Sequence, residues 1–192
     1  MNKGYINLFR GFLLIVLDFN IGSFDILPDF IGYLLILVGL SYLYSKTDIK
    51  IFNFAKAFSL CLLINEGLNI ATGTVGVIQF TKITEYALML FGALNYLLLT
   101  VFIYSGMTKH MNDIGEEVLS KRFFFETRIY AVLQGLCLIA ISFSLNMKTE
   151  GDEIYTYSIL IVSIIMYIRM LINLHSAKKV FEYGIPERIE SV

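Results

Sequence analysis

Four carboxylates, Asp18, Asp25, Asp29 and Glu66, stand in or beside apolar runs of this 192-residue chain, with Asn20, Asn65 and Asn69 close by in sequence. Carboxylate and amide oxygens are the donors that a hard metal cation prefers, and they equally suit a proton or a cationic solute. No spacing among these residues defines a metal site, and no cofactor is expected. Acidic side chains are shorter than Lys or Arg and cannot easily reach back to an interface. Asp18 and Glu66 therefore call for a partner or a water-filled cavity. Asp25 and Asp29 flank Pro28 and have a second explanation. Carboxylates favour a helix N-terminus, and Pro suits a first turn. Capping and a binding pocket both stand as readings of this acidic cluster.

A second polar group comprises Arg10, Glu126, Arg169 and Asn173. Arg169 and Asn173 are four residues apart and share a helix face. Glu126 opens the fifth apolar run, within reach of a pair with Arg169. Arg10 and Lys56 stand near run ends and can extend to an interface. A charge at mid-span costs about 2.5–3.5 kcal/mol on insertion scales, so each such residue is a candidate for pairing or function.

Motifs of familiar catalysis are missing. The sequence has no P-loop, no GxSxG and no HExxH. The segment Glu116 to Lys121 is similar to the EExxxR element of membrane CAAX-type proteases, but Lys stands where Arg is required. Neither His110 nor His175 has a partner at metal-ligand spacing. Cys61 and Cys137 lie inside apolar runs, which suits neither a disulfide nor a zinc site. A net charge of -1 argues against nucleic-acid binding.

The elements that hold these residues follow from composition. Hydrophobic residues make up 57% of the chain and charged residues 16%, with a mean hydropathy of +0.71. A soluble domain averages roughly 45–50% apolar and about 25% charged. The chain is therefore expected to lie in a lipid bilayer. Spanning helices need roughly 20 mainly apolar residues. Runs at 6–21, 26–45, 52–72, 86–108, 129–147 and 154–174 satisfy this unequally, the first being the shortest. That first run resembles a signal peptide but lacks a small-x-small cleavage site, so it is read as a retained span. The expectation is an all-α integral membrane bundle of six transmembrane helices, one domain from 1 to 192 with no soluble part.

Charge gives orientation. With the N-terminus inside, six spans leave only Lys82 and Lys148 of the 15 basic residues on the outer side. Lys and Arg resist translocation, so this bias supports N-in and C-in. The acidic cluster then faces outward and the Arg169 group inward. Tyr104 and Phe123 to Phe125 are expected as interface anchors. Residues 109–128 are expected as the longest inner loop, with Met111, Ile114 and Val118 at helical spacing, which suits either a short helix on the inner surface or a solvated connecting helix. Gly32 and Gly39, and Gly67 with Ala71, suggest close helix packing, and Asn95 suggests a bond to a neighbouring helix.

The segment Asp25-Ile26-Leu27-Pro28-Asp29-Phe30-Ile31-Gly32-Tyr33 resembles a motif of a family of small, uncharacterised polytopic membrane proteins of Gram-positive bacteria. In these a short first helix and an acidic turn precede an LPDFIGY-like helix start. The resemblance covers about residues 8 to 40. It implies a multi-pass protein of the bacterial plasma membrane and carries no activity and no functional residue. The lack of catalytic motifs points to a non-catalytic membrane component: a partner subunit, a sensor or an assembly factor, contacting the bilayer and a membrane-protein partner or a second copy. The alternative is a small transporter or channel that uses the outward acidic cluster for a proton, a cation or a cationic solute. A membrane enzyme of unfamiliar chemistry is a third reading.

Overall fold

The computed structural model describes residues 1–17, 27–73, 80–144 and 152–182. Every element among them is helical: α1 Asn2–Leu17, α2 Leu27–Thr47, α3 Lys50–Gly73, α4 Lys82–Asp113, α5 Glu117–Ser144 and α6 Asp152–Glu182. Five stretches, within α2 to α6, are long and apolar enough to cross a membrane. α1 is described over 16 residues, just below the roughly 17–25 of a spanning helix, and packs alongside them. The result is a helical membrane bundle. Large apolar side chains point outward all around it, among them Val38, Phe54, Ile64, Val132, Leu136 and Ile161. Only lipid or another apolar body covers so continuous a surface. Helices suit that setting because each satisfies its own backbone polar groups.

Each helix packs on its neighbour in sequence, and α6 returns to α1, so the bundle closes as a ring. The helices alternate in direction. The start of α1 meets the ends of α4 and α6, where Tyr5 Oη lies 2.7 Å from His110 Nδ1 and the His110 ring stacks on Phe181 at 5.1 Å. The ends of α2 and α4 and the starts of α1, α3 and α5 therefore share one end. Lys3, Lys46, Lys50, Lys109, Lys121, Arg122, Lys178 and Lys179 lie there, with Lys56, Arg128 and Arg169 in the adjoining halves of their helices. Lys82 begins α4 at the opposite end, and Arg10 stands midway along α1. We call these the basic end and the far end.

The tightest seam joins α1 and α2. A Cβ on Gly11 would stand 2.6 Å from the Gly32 carbonyl oxygen, and one on Gly39 2.8 Å from that of Gly4. Glycine at these positions lets the two backbones touch. Gly67 differs from expectation: a Cβ there would meet nothing within 4 Å among the described residues, so no described helix packs closely on it. Asn95 also turns to its own helix, its Nδ2 donating to the Phe91 carbonyl at 2.7 Å.

The expected inner loop at 109–128 is largely helix. α4 runs on to Asp113 and α5 begins at Glu117. Gly115 takes a φ of 82°, a conformation nearly free only to glycine. The Glu116 N–H donates to the Met111 carbonyl at 2.8 Å and the Gly115 N–H to that of Asn112 at 3.1 Å. This pair of bonds is the Schellman helix stop, and it folds the chain straight into α5. Met111 is buried, whereas Val118 is exposed, so the two do not share a surface face.

Candidate functional site

Packing is uneven along the bundle. Every buried residue of α4 lies from Asn95 onward, toward the basic end. Among the described side chains, those buried in α6 run from Met166 to Ala177, and in α3 none follows Asn65. In the far half the helices leave a chamber of about 320 Å³, lined by residues of α2, α3, α4, α5 and α6. This is near the lower end of the roughly 300–1,000 Å³ typical of ligand pockets.

α3 supplies the chamber's main polar face. Asn65, Glu66 and Asn69 line it together, because positions three and four apart share one helix face. Asn69 Nδ2 donates to Glu66 Oε2 at 3.1 Å. Asn65 is 9% exposed, and its Oδ1 is buried without a hydrogen-bond partner among the described residues. A buried carbonyl left so loses about 1–3 kcal/mol of hydration. The amide fits because residue 92 is glycine: a Cβ there would stand 2.9 Å from Asn65 Nδ2.

Aromatic and neutral polar side chains complete the wall. Tyr33, Tyr96 and Tyr167 line it with Gln134 and Ser163. Ser59 Oγ donates to the Tyr33 carbonyl at 3.2 Å, which ties α3 to α2 here. The Tyr96 and Tyr167 rings are 5.3 Å apart. Asp29 stands in the first turn of α2, one turn before Tyr33. Tyr33 lies within electrostatic reach of both Asp29 and Glu66. Asp18 and Asp25 lie outside the described residues.

Toward the basic end the chamber has a tyrosine floor. Tyr130 Oη donates to Tyr96 Oη at 3.3 Å, and the Tyr130 ring packs 5.7 Å from that of Tyr104. Asn173 Nδ2 donates to Tyr104 Oη at 3.1 Å. Leu99, Ile103 and Tyr104 are fully buried around this column. Tyr104 and Phe123 are therefore core residues, and the expected role as interface anchors does not hold for them. The reason is local: each falls on a ring-facing side of its helix.

The inner polar group is assembled in part. Arg169 donates from Nε to Glu126 Oε2 at 3.1 Å and from Nη2 to Oε1 at 2.7 Å. This two-point geometry matches the flat guanidinium to the flat carboxylate. The Glu126 side chain is only 8% exposed and that of Arg169 40%. Asn173, one turn on from Arg169, bonds instead to Tyr104. Arg10 is exposed and makes no ion pair with the other three.

Sequence reasoning found Asn65, Glu66 and Asn69 but missed Tyr33, Tyr96, Tyr167, Gln134 and Ser163. A signal was present. Tyr usually marks span ends, yet Tyr33, Tyr96, Tyr130 and Tyr167 stand well inside their helices. Among the described residues no three His, Cys, Asp or Glu are grouped to hold a metal ion. Among the described residues the chamber offers the Glu66 carboxylate, the Asn65 amide oxygen and several aromatic faces. Comparison of the chain with protein-family models, with curated proteins and with solved structures returned no match.

Proposed function

We propose that this membrane protein binds a small ammonium-bearing solute in the far-half chamber and carries it across the bilayer. The observation that supports this most is the unpartnered Asn65 Oδ1 beside the Glu66 carboxylate at the wall of one chamber. An ammonium group with N–H bonds donates to both oxygens, a quaternary one meets the carboxylate by charge alone, and Tyr faces attract either through their π electrons. A bare metal ion would need more oxygen ligands than these.

A carrier is favoured over a channel by the tyrosine floor, which closes the path toward the basic end. Basic residues resist translocation, so the basic end faces the cytoplasm and the chamber faces out. The LPDFIGY-like start of α2 supports placement in the plasma membrane of a Gram-positive bacterium, within the family it resembles. Under this proposal the protein is non-catalytic. Binding without flux would make it a solute sensor or a partner subunit, using the same chamber.

The test is uptake into proteoliposomes of labelled methylammonium, ethanolamine and choline, beside glycerol as a neutral control. Saturable uptake of one ammonium compound, lost in Glu66→Gln, is expected. Equal rates for protein-containing and empty vesicles, together with no binding, would overturn the proposal.

A further inference from the structure

We propose that the groove between α4 and α5 at the basic end binds the phosphate-bearing headgroup of an anionic phospholipid. The Schellman stop at Gly115 brings the end of α4 directly against the start of α5. Between them lies a cavity of about 330 Å³, whose wall includes Lys109, Asn112, Ser120, Phe124, Thr127 and Arg128 and no carboxylate. The two cations face a common space from opposite helices.

Two other basic residues at this end are already matched. Lys121 pairs with Glu117 at 3.6 Å and Lys178 with Glu182 at 3.4 Å. Neither Lys109 nor Arg128 forms an ion pair with any described residue. Arg128 is held all the same: its guanidinium carbon lies 4.4 Å from the centre of the Phe124 ring. Stacking fixes the plane and leaves the N–H edge free for a planar pair of oxygens. The Ser120 and Thr127 hydroxyls donate to the Thr108 and Phe123 carbonyls at 3.0 and 2.8 Å. The donors left for an anion are Lys109, Arg128 and the Asn112 amide. Together they match phosphate.

Free phosphate has the same chemistry, but the surroundings favour lipid. Phe124 and Phe125 are 50% and 62% exposed beside the groove. In a bilayer their exposed faces contact lipid, and Arg128, one turn further along α5, reaches back over the Phe124 ring toward the basic end. Basic pockets between spanning helices on the cytoplasmic side recognise lipid phosphates in this way.

The test uses full-length protein, purified in mild detergent and stripped of lipid. Short-chain phosphatidylglycerol, short-chain phosphatidylcholine and inorganic phosphate are titrated while the unfolding temperature is followed. Phosphatidylglycerol is expected to raise that temperature, and the other two at equal concentration are not. In Lys109→Gln/Arg128→Gln the apparent affinity for phosphatidylglycerol falls by about tenfold or more, the effect of losing charge-assisted bonds. Lys46→Gln/Lys179→Gln removes as much charge from the same end and keeps the response. A groove variant that responds like the wild type, or a control variant that loses as much, would overturn the proposal. So would inorganic phosphate matching the lipid. Native mass spectrometry of the unmutated protein is independent of variant folding: retained phosphatidylglycerol supports the site, and equal retention of phosphatidylcholine refutes it.

Discussion

Asn65 and Gly92 meet across the α3–α4 seam so closely that a Cβ on residue 92 would stand 2.9 Å from the Asn65 Nδ2. The missing side chain on α4 is what lets the amide on α3 stay buried at the chamber wall. The oxygen of that amide is then available to a solute.

Gly92→Ala puts a methyl group into the space of the amide nitrogen. The Asn65 side chain must swing away. Affinity for the ammonium solute is expected to fall by about tenfold, since a hydrogen bond to a charged group contributes about 1.5–3 kcal/mol. The helix gains from Ala over Gly, so the unfolding temperature in detergent stays near the wild-type value. Equilibrium binding and a melting curve on the same preparation check both statements.

Glu66→Gln keeps the shape of the side chain and removes its charge. The Asn69 contact at 3.1 Å survives as an amide–amide bond. Binding of ammonium compounds is expected to weaken by about tenfold or more, in line with a lost charge-assisted bond. Their neutral isosteres are unaffected. Comparing ethanolamine with its uncharged carbon analogue, 1-propanol, separates charge from fit.

Glu126 and Arg169 form a double test of membrane electrostatics. Either Glu126→Gln or Arg169→Gln leaves one charge unmatched; the larger loss is expected for Arg169→Gln, which strands the nearly buried Glu126 carboxylate, with the about 3–5 kcal/mol of a fully buried pair as its upper bound. The double variant loses less than either single one, because nothing charged remains. Stability in mixed detergent, measured for all four proteins, gives the coupling energy. Additive losses would show that the two-point bond contributes nothing.

The α1–α2 seam sets where α1 lies. Gly11→Val would drive a branched side chain against the Gly32 carbonyl, 2.6 Å from the position of its Cβ. Overpacking of this kind costs about 1–3 kcal/mol. The unfolding temperature in detergent is expected to fall in Gly11→Val relative to the wild type. Gly67→Ala, with open space around it, leaves the protein unchanged.

The parts legible in sequence were those governed by solvent. Apolar run length marked α2 to α6, and Lys and Arg placement separated the two ends. Run ends were read less well. Residues 109–128 are polar, and polarity alone reads as a connection with at most a short helix in it. Gly115 followed by Glu116 decided otherwise, because a Schellman stop lets two helices continue beyond the apolar zone. Side-chain orientation was the other gap. In a helix with apolar residues on every side, hydropathy does not say which side faces the ring. Tyr96 and Tyr104 look alike in sequence, yet one lines the chamber and the other is sealed beneath it. Asn65, Glu66 and Asn69 were readable because polar groups at such depth need an explanation, whatever face they occupy.

The central claim is that the far-half chamber holds an ammonium-bearing solute on Asn65 and Glu66. Equilibrium binding of labelled methylammonium, ethanolamine and choline to purified protein tests it directly, with Asn65→Leu and Glu66→Gln measured in parallel. The account predicts saturable binding of at least one compound, at one site per chain, with affinity reduced by about tenfold or more in each folded variant. No saturable binding of any of the three, or binding that both variants retain in full, would contradict it.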